Sequence, residues 1–297
     1  MVKDIKEIIP IEELESIANH ALHTAHKVHD DLGISGEELI EKNQFGDTAL
    51  KIDVEAEEAV IEVFKKMGLP IRIISEEHGV IEIGKNPQLL GILDGLDGTS
   101  QYGKSRGKAR YGTMFGIFQG LNPLYKDYLY GGIMEHVADI LYFGSRGRGS
   151  KKITHGTEVS PIQTSTTSEL GQSTKLNADL YYDAKYGTDY VTSVTQFLTG
   201  YSIESFGSSA VHYANLAVGK VDGVIECTRK GNLEFAVAYP LISEAGGVML
   251  TREGDYLNEK EYLTFGQNEH VLIISACNPT FAEALLQKLN SQISPPK

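Results

Sequence analysis

Asp94 and Asp97, two carboxylates three residues apart, close the apolar run Leu89-Leu90-Gly91-Ile92-Leu93 and are followed by Gly98-Thr99-Ser100. A run of this length reads as a buried strand, so both acids sit where it emerges. Two anions held close do not both stay ionised without a compensating cation. Mg²⁺ takes carboxylate, carbonyl and water oxygens and keeps positions open for a substrate phosphate. Asp94, Asp97 and the Leu96 carbonyl between them therefore form half of a candidate metal site. The same residues also suit a surface turn, because Asp and Gly are turn formers.

Two named alternatives fail on spacing. An EF-hand loop begun at Asp94 would find Leu96 and Gly98 at its third and fifth positions, and Ser105 where the closing Glu belongs. Haloacid-dehalogenase-type phosphatases place their aspartates two apart, and here they are three apart.

Further carboxylates come from neighbouring elements. Ile71-Arg72-Ile73-Ile74-Ser75 reads as a strand ending in Glu76-Glu77-His78-Gly79. Two adjacent strand ends could present Glu76, Asp94 and Asp97 to one point. Asp53 precedes Ala56, Ala59, Val60, Val63, Phe64 and Met67 at helical spacing and reads as the N-cap of a helix starting there. Glu55, Glu57 and Glu58 suit the positive end of its dipole. His20, His23, His26 and His29, three apart, could form a metal stripe, but no carboxylate motif accompanies them and a solvated polar face is the expectation.

The elements that must hold these groups follow from periodicity. Ile11, Leu14, Ala18, Ala21, Ala25 and Val28 predict an amphipathic helix over residues 11–31, stopped by Gly33. Residues 111–118, 129–134 and 139–144 read as antiparallel strands. The loop Ser145-Arg146-Gly147-Arg148-Gly149-Ser150 could meet a phosphate, with a solvated turn as the expected reading. The polar stretch 150–172 suggests a boundary, giving halves 1–165 and 166–297, the first with most metal ligands and the second with the substrate contacts.

The second half alternates elements: strand 176–182, helix 190–198, strand 201–206, helix 208–218, strand 223–227, a helix from Glu234 to Glu244, strand 271–276 and helix 279–289. Such alternation implies helices packed on a sheet. Gly207-Ser208-Ser209-Ala210 opens one helix with small residues and free N–H groups, a setting for an anionic or hydroxylated ligand that any helix start also provides.

Composition limits the function. The chain of 297 residues is 41% hydrophobic and 23% charged, with a net charge of −13. That charge argues against nucleic-acid and anionic-membrane partners and leaves negative sites for cations. Cys227 and Cys277 are too few for a disulfide framework, so a reducing cytoplasm is the expected location. No signal peptide is read at the mixed-charge N-terminus, and no run of about 18 apolar residues is available to span a membrane.

In order, Gly46-Asp47 to Asp53, Glu76-Glu77, Asp94-Gly95-Leu96-Asp97-Gly98-Thr99, Gly207-Ser208-Ser209-Ala210 and Glu234 to Gly247 resemble the inositol monophosphatase superfamily of Mg²⁺-dependent, often lithium-sensitive phosphatases. The resemblance covers nearly the whole chain. Gly46-Asp47-Thr48 and Glu226-Cys227-Thr228-Arg229-Lys230 look most like the archaeal-type enzymes acting on both inositol monophosphate and fructose 1,6-bisphosphate. Two positions depart: Gly95 stands where the family usually has Pro, and Glu234 where it usually has Asp.

The resemblance implies an α/β fold layered αβαβα and two or three Mg²⁺ ions per site, with Mn²⁺ as a substitute. One ion is expected on Glu76, Asp94 and the Leu96 carbonyl, a second on Asp94, Asp97 and Glu234, and a weaker third near Glu76 and Asp53. A water activated by metal would attack the phosphate, oriented by Thr99 hydrogen-bonded to Asp53, so that Asp53, Glu76 and Thr99 are the catalytic set. Backbone N–H groups of Gly98, Thr99 and Ser100 would hold the phosphate. Gly207, Ser208, Ser209 and Glu226 would face polyol hydroxyls, and Arg229 a second phosphate. The extra methylene of Glu234 moves its oxygens by over about 1 Å, which is expected to lower activity or shift metal preference. The expected substrate is a small phosphorylated polyol and the expected assembly a homodimer. A nucleotide 3′-phosphatase of the same superfamily and a regulatory protein that keeps only the metal-site outline are the alternatives.

Overall fold

Every residue of the Leu89–Asp97 strand is buried, and its side chains alternate between two cores. Leu89 and Leu93 join the core that contains the first two helices, whereas Leu90 and Ile92 join the core on the other face. Apolar residues at consecutive positions are what a strand covered on both faces requires. The structure, a computed structural model, describes residues 9–42, 48–105, 108–179, 197, 200–228 and 231–292.

The first part of the chain gives α1 (Ile11–Leu32), β1 (Leu39–Lys42), β2 (Thr48–Leu50), α2 (Lys51–Met67), β3 (Ile71–Ser75), β4 (Gly79–Ile83), β5 (Leu89–Asp97) and α3 (Thr99–Ser105). There follow β6 (Gly112–Gln119), β7 (Tyr128–Glu135), β8 (Ile140–Ser145), β9 (Ser150–Thr154) and β10 (Glu158–Ile162). The remainder comprises β11 (Lys175–Ala178), β12 (Ser202–Glu204), α4 (Ser209–Ala217), β13 (Gly223–Cys227), α5 (Leu233–Glu244), β14 (Val248–Thr251), β15 (Leu272–Ala276) and α6 (Pro279–Gln292).

An eight-stranded sheet runs in the order β10-β9-β8-β7-β6-β5-β3-β4, and a five-stranded sheet in the order β12-β11-β13-β15-β14. Helices α1 and α2 cover one face of the first sheet; α4 and α5 lie between the two sheets; α6 packs on the outer face of the second. This is the αβαβα order expected. Leu14, Ile17, Ala18, Ala21, Leu22 and Ala25 form the buried stripe of α1, and Gly33, at φ +47°, ends it. At Gly131 on β7 a side chain would collide with the Val237 carbonyl, so glycine there lets α5 lie directly on the sheet.

Several boundaries differ from the sequence expectation. Helix α2 begins at Lys51 rather than at Asp53, which occupies its third helical position. The polar stretch 150–172 opens with the hairpin β9–β10 of the first sheet, so the connection between sheets is confined to 163–174. The strand expected over 176–182 covers Lys175–Ala178, with residues 180–182 outside the described set. The helix expected over 190–198 also lies outside the described residues, Phe197 excepted. No described helix is long and apolar enough to cross a membrane.

Candidate metal and phosphate site

Strand β3 runs parallel to β5 with Ser75 opposite Leu93, and the Glu76 N–H donates to the Leu93 carbonyl at 3.1 Å. That pairing brings Glu76 beside Asp94, as two neighbouring strand ends allow. The alternation of β5 turns Asp94 toward the face of Leu90 and Ile92, which α5 covers. Asp94, Asp97 and Glu234 each bring a carboxylate oxygen within 4.8 Å of the others, and all three side chains are buried. The extra methylene of Glu234 does not keep its carboxylate from this cluster.

Backbone and hydroxyl donors hold Asp94 and Asp97. Asp94 Oδ1 accepts the Leu96 N–H at 2.9 Å. Asp97 Oδ2 accepts the Ser208 hydroxyl at 2.5 Å and the Ala210 N–H at 2.7 Å, so it sits at the positive end of α4. Glu234 lies in the first turn of α5, whose start is fixed by Asn232 at φ +49°. Asn tolerates this left-handed conformation, and its amide donates to the Tyr125 hydroxyl at 2.7 Å and the Phe265 carbonyl at 3.0 Å.

These donors do not balance the charge. Burial first, then Glu76 and Asp97, hold the Asp94 carboxyl well above the usual range. Burial first, then Glu234 and Glu57, do the same to Glu76. The donor set is all oxygen and carries excess negative charge, which fits a hard divalent cation such as Mg²⁺ or Mn²⁺ rather than a thiophilic one.

Asp53 Oδ2 accepts the Leu50 N–H at 2.7 Å, reaching back over the first turn of α2 as the acid of a capping box does. It is a third-position cap, not the N-cap the sequence suggested. Its other oxygen lies 3.2 Å from Thr99 Oγ1, which also reaches the Leu96 carbonyl at 3.0 Å. Burial is the main cause that pushes the Asp53 carboxyl up to about 7, against hydrogen bonds from Leu50 and Thr99 that lower it.

Sequence reasoning passed over Glu57 as a helix-dipole residue. It is fully buried and accepts the backbone N–H groups of Glu76 at 2.9 Å and Glu77 at 3.0 Å, the Ser75 hydroxyl, and His78 Nδ1 at 2.9 Å. The signal was its place four residues after Asp53, on the stripe of Asp53, Ala56 and Val60 that α2 buries. Gly95 packs against the same turn. A Cβ there would collide with the Asp53 carbonyl and lie 2.7 Å from Glu57 Cγ.

Gly98, at φ +97°, turns the chain from β5 into α3, and its carbonyl accepts the N–H groups of Gln101 at 2.8 Å and Tyr102 at 3.1 Å. The first N–H groups of any helix lack intrahelical acceptors, and those of α3 come from Thr99 and Ser100, which follow Asp97 and Gly98 directly in the chain. Gly207, at φ +65°, leads into Ser208, the N-cap of α4. Ser208 and Ser209 are both buried, and the Ser208 hydroxyl is committed to Asp97. Glu226 is buried too and hydrogen-bonds to His212 Nδ1. The Phe206 N–H donates to His212 Nε2 at 3.0 Å, so Nδ1 carries the proton given to Glu226. Arg229, with Gly46 and Asp47, lies outside the described residues.

The basic loop 145–150 binds the protein's own acids. Arg148 pairs with Glu12 at 2.5 Å and Glu15 at 3.2 Å, and the N–H groups of Gly147 and Gly149 donate to Glu244 at 2.8 and 2.9 Å. Of the histidine stripe, His20 is exposed as expected. His26 and His29 instead turn inward against His136.

A family model described as the inositol monophosphatase family matches residues 7–294. A fructose-1,6-bisphosphatase/inositol-1-monophosphatase of Methanothermobacter thermautotrophicus is 28% identical over 227 residues, covering 73% of this chain and 76% of the relative. The Nus factor SuhB of Escherichia coli is 26% identical over 259 residues, covering 86% and 88%. Among solved structures, an inositol monophosphatase from Anabaena (Nostoc) superposes with a TM-score of 0.72 at 22% identity, covering 96% of this chain and 97% of that one.

Proposed function

The chain belongs to the inositol monophosphatase family and is a metal-dependent phosphatase, and from that premise we propose that it is a Mg²⁺-dependent phosphomonoesterase acting on a small phosphorylated polyol, inositol monophosphate or fructose 1,6-bisphosphate. The observation that carries this reading is the buried cluster of Asp94, Asp97 and Glu234, flanked by Glu76, next to the Thr99–Asp53 pair.

Glu76, Asp94 and the Leu96 carbonyl would hold one cation, Asp94, Asp97 and Glu234 a second, and Glu76 with Asp53 a weaker third. When bound, the cations supply Lewis-acid activation of water and neutralise charge on the phosphate and the leaving oxygen. Thr99 Oγ1, held between Asp53 and the Leu96 carbonyl, orients the attacking water, and Asp53 Oδ1 takes its proton through that hydroxyl. Backbone N–H groups of Gly98, Thr99 and Ser100 hold the phosphate oxygens. The polyol side is formed by the Gly207–Ser209 turn. Ser208 also fixes Asp97 through its hydroxyl, and Glu226 Oε1 holds His212 Nδ1. The protein is read as a cytoplasmic homodimer.

The test is phosphate release from inositol 1-phosphate, fructose 1,6-bisphosphate and adenosine 3′,5′-bisphosphate with Mg²⁺ or Mn²⁺, with Asp94→Asn as control. Turnover of a polyol phosphate that Asp94→Asn abolishes supports the reading. Preference for the nucleotide would move the protein to the 3′-nucleotide phosphatases, and no turnover on any of the three would sink the proposed substrate class.

A further inference from the structure

Beyond Thr113, which donates to the Gly95 carbonyl of β5, three imidazoles from two distant parts of the chain meet. His26 and His29 come from α1 and keep only 14% and 11% of their side-chain exposure; His136, just past β7, is buried. The rings of His29 and His136 stack at 4.5 Å with their planes 5° apart. One nitrogen from each of the three lies within 4.8 Å of the others. Two carboxylates flank them: Asp139 Oδ1 is 3.3 Å and Asp30 Oδ2 3.6 Å from His26 Nε2, and Asp30 Oδ1 is 3.1 Å from His29 Nδ1.

The hydrogen bonds fix where the protons are. Thr113 Oγ1 donates its only proton to the Gly95 carbonyl at 2.7 Å, so His136 Nε2, 3.0 Å from the same oxygen, must be the donor to it. His26 Nε2 faces two carboxylates, which only accept, so it also carries a proton. In their neutral forms both rings then present bare Nδ1 lone pairs, and these two atoms face each other at 3.2 Å. Something positive belongs between them. Burial and the two neighbouring imidazoles disfavour a proton on His136. Two imidazole nitrogens bound at about 2.0–2.1 Å to one tetrahedral zinc lie about 3.3 Å apart, which is the separation found.

We propose that His26 Nδ1, His136 Nδ1 and His29 form a second metal site, for a zinc-class divalent transition ion, separate from the carboxylate cluster. Neutral imidazoles select zinc, cobalt, nickel or copper over Mg²⁺. Asp139 on the far nitrogen of His26 and Thr113 on the far nitrogen of His136 supply the outer hydrogen bonds that orient metal-binding imidazoles. His29 joins by turning its ring off the Tyr111 hydroxyl, which it now meets at 3.0 Å. The exposed Asp30 marks the side from which the ion enters and where a water completes the set.

The test is titration of metal-free protein with Co²⁺, followed by its visible absorption, and with Zn²⁺ by calorimetry, in the wild type, Asp94→Asn, His26→Gln and His136→Asn. Asp94→Asn should still take up one equivalent with an imidazole-type spectrum. His26→Gln and His136→Asn should weaken that uptake at least tenfold while keeping Mg²⁺-dependent thermal stabilisation, which reports an intact fold and an intact carboxylate site. Should His136→Asn fail to fold, His26→Gln, whose side chain keeps 14% of its exposure, decides alone. Uptake in Asp94→Asn that His26→Gln leaves unchanged would overturn the site. So would no uptake at all, and the two Nδ1 atoms would then share a proton.

Discussion

Glu57 Oε1 accepts the backbone N–H of Glu76 at 2.9 Å, so a carboxylate without contact with solvent fixes the chain segment from which a proposed metal ligand projects. Glu57→Ala would orphan several donors at once, each buried loss costing about 1–3 kcal/mol. Urea unfolding should show a fall of roughly 3 kcal/mol or more, by the same reckoning. Glu57→Gln, which keeps one acceptor oxygen, should lose less stability yet weaken Mg²⁺ activation, because Glu76 is no longer held in place.

Thr99 separates positioning from binding. Thr99→Val keeps shape and removes the hydroxyl that links Asp53 to the Leu96 carbonyl. Steady-state kinetics should show kcat down by about 10²-fold or more with KM little changed, the scale of a lost proton-handling group. Thr99→Ser should restore most of the rate. A Thr99→Val enzyme within a few-fold of wild type would remove Thr99 from the catalytic set.

The acids make the metal-free protein sensitive to alkaline pH. Asp53 rises from 3.8 to about 7 in the fold, and Glu76 and Asp94 rise as well. A carboxyl raised in the folded state binds more protons than its unfolded counterpart between the two values, so stability falls as pH rises through that window. The penalty is absent below the ordinary carboxylate range and complete above about 7 for Asp53. Differential scanning calorimetry in chelator should therefore show Tm falling between pH 4.5 and 8, by about 5 °C or more on the scale of a few kcal/mol. Added Mg²⁺ should restore it most at the alkaline end, and Asp94→Asn should flatten both responses.

Gly95→Ala tests the close approach of the end of β5 to α2. A Cβ there meets the Asp53 carbonyl and Glu57 Cγ, and overpacking of this kind costs about 1–3 kcal/mol. The loss should appear both in urea unfolding and in weaker Mg²⁺ activation. An unchanged midpoint would mean that the end of β5 shifts freely, contrary to the contacts described.

The parts of the site that could be read in advance are those written in one local stretch. The apolar run of β5 followed by Asp94 and Asp97, and the β3 strand followed by Glu76, place their acids at the end of a sheet, because that is where a strand delivers its last residue. Helix bounds were likewise legible in α1, where the apolar spacing and Gly33 agree. What could not be read is which partner a polar residue finds across the chain. Ser208 looks like any N-cap, and nothing near it in sequence says that Asp97 receives its hydroxyl. His26 and His29 look like a solvated stripe until β7 brings His136 against them. Glu57 was readable from its buried helical position but was outweighed by the ordinary preference for acids in a first turn.

The carboxylate cluster is assembled from two distant segments of the chain, with Asp94 and Asp97 on β5 and Glu234 on α5. The packing of α5 on the first sheet brings the third negative charge against the other two. Repulsion among the three buried acids therefore opposes that packing. A divalent cation already resting on Asp94 and Asp97 would turn that opposition into attraction, making the cation an assembly factor for the second half of the chain before any substrate arrives.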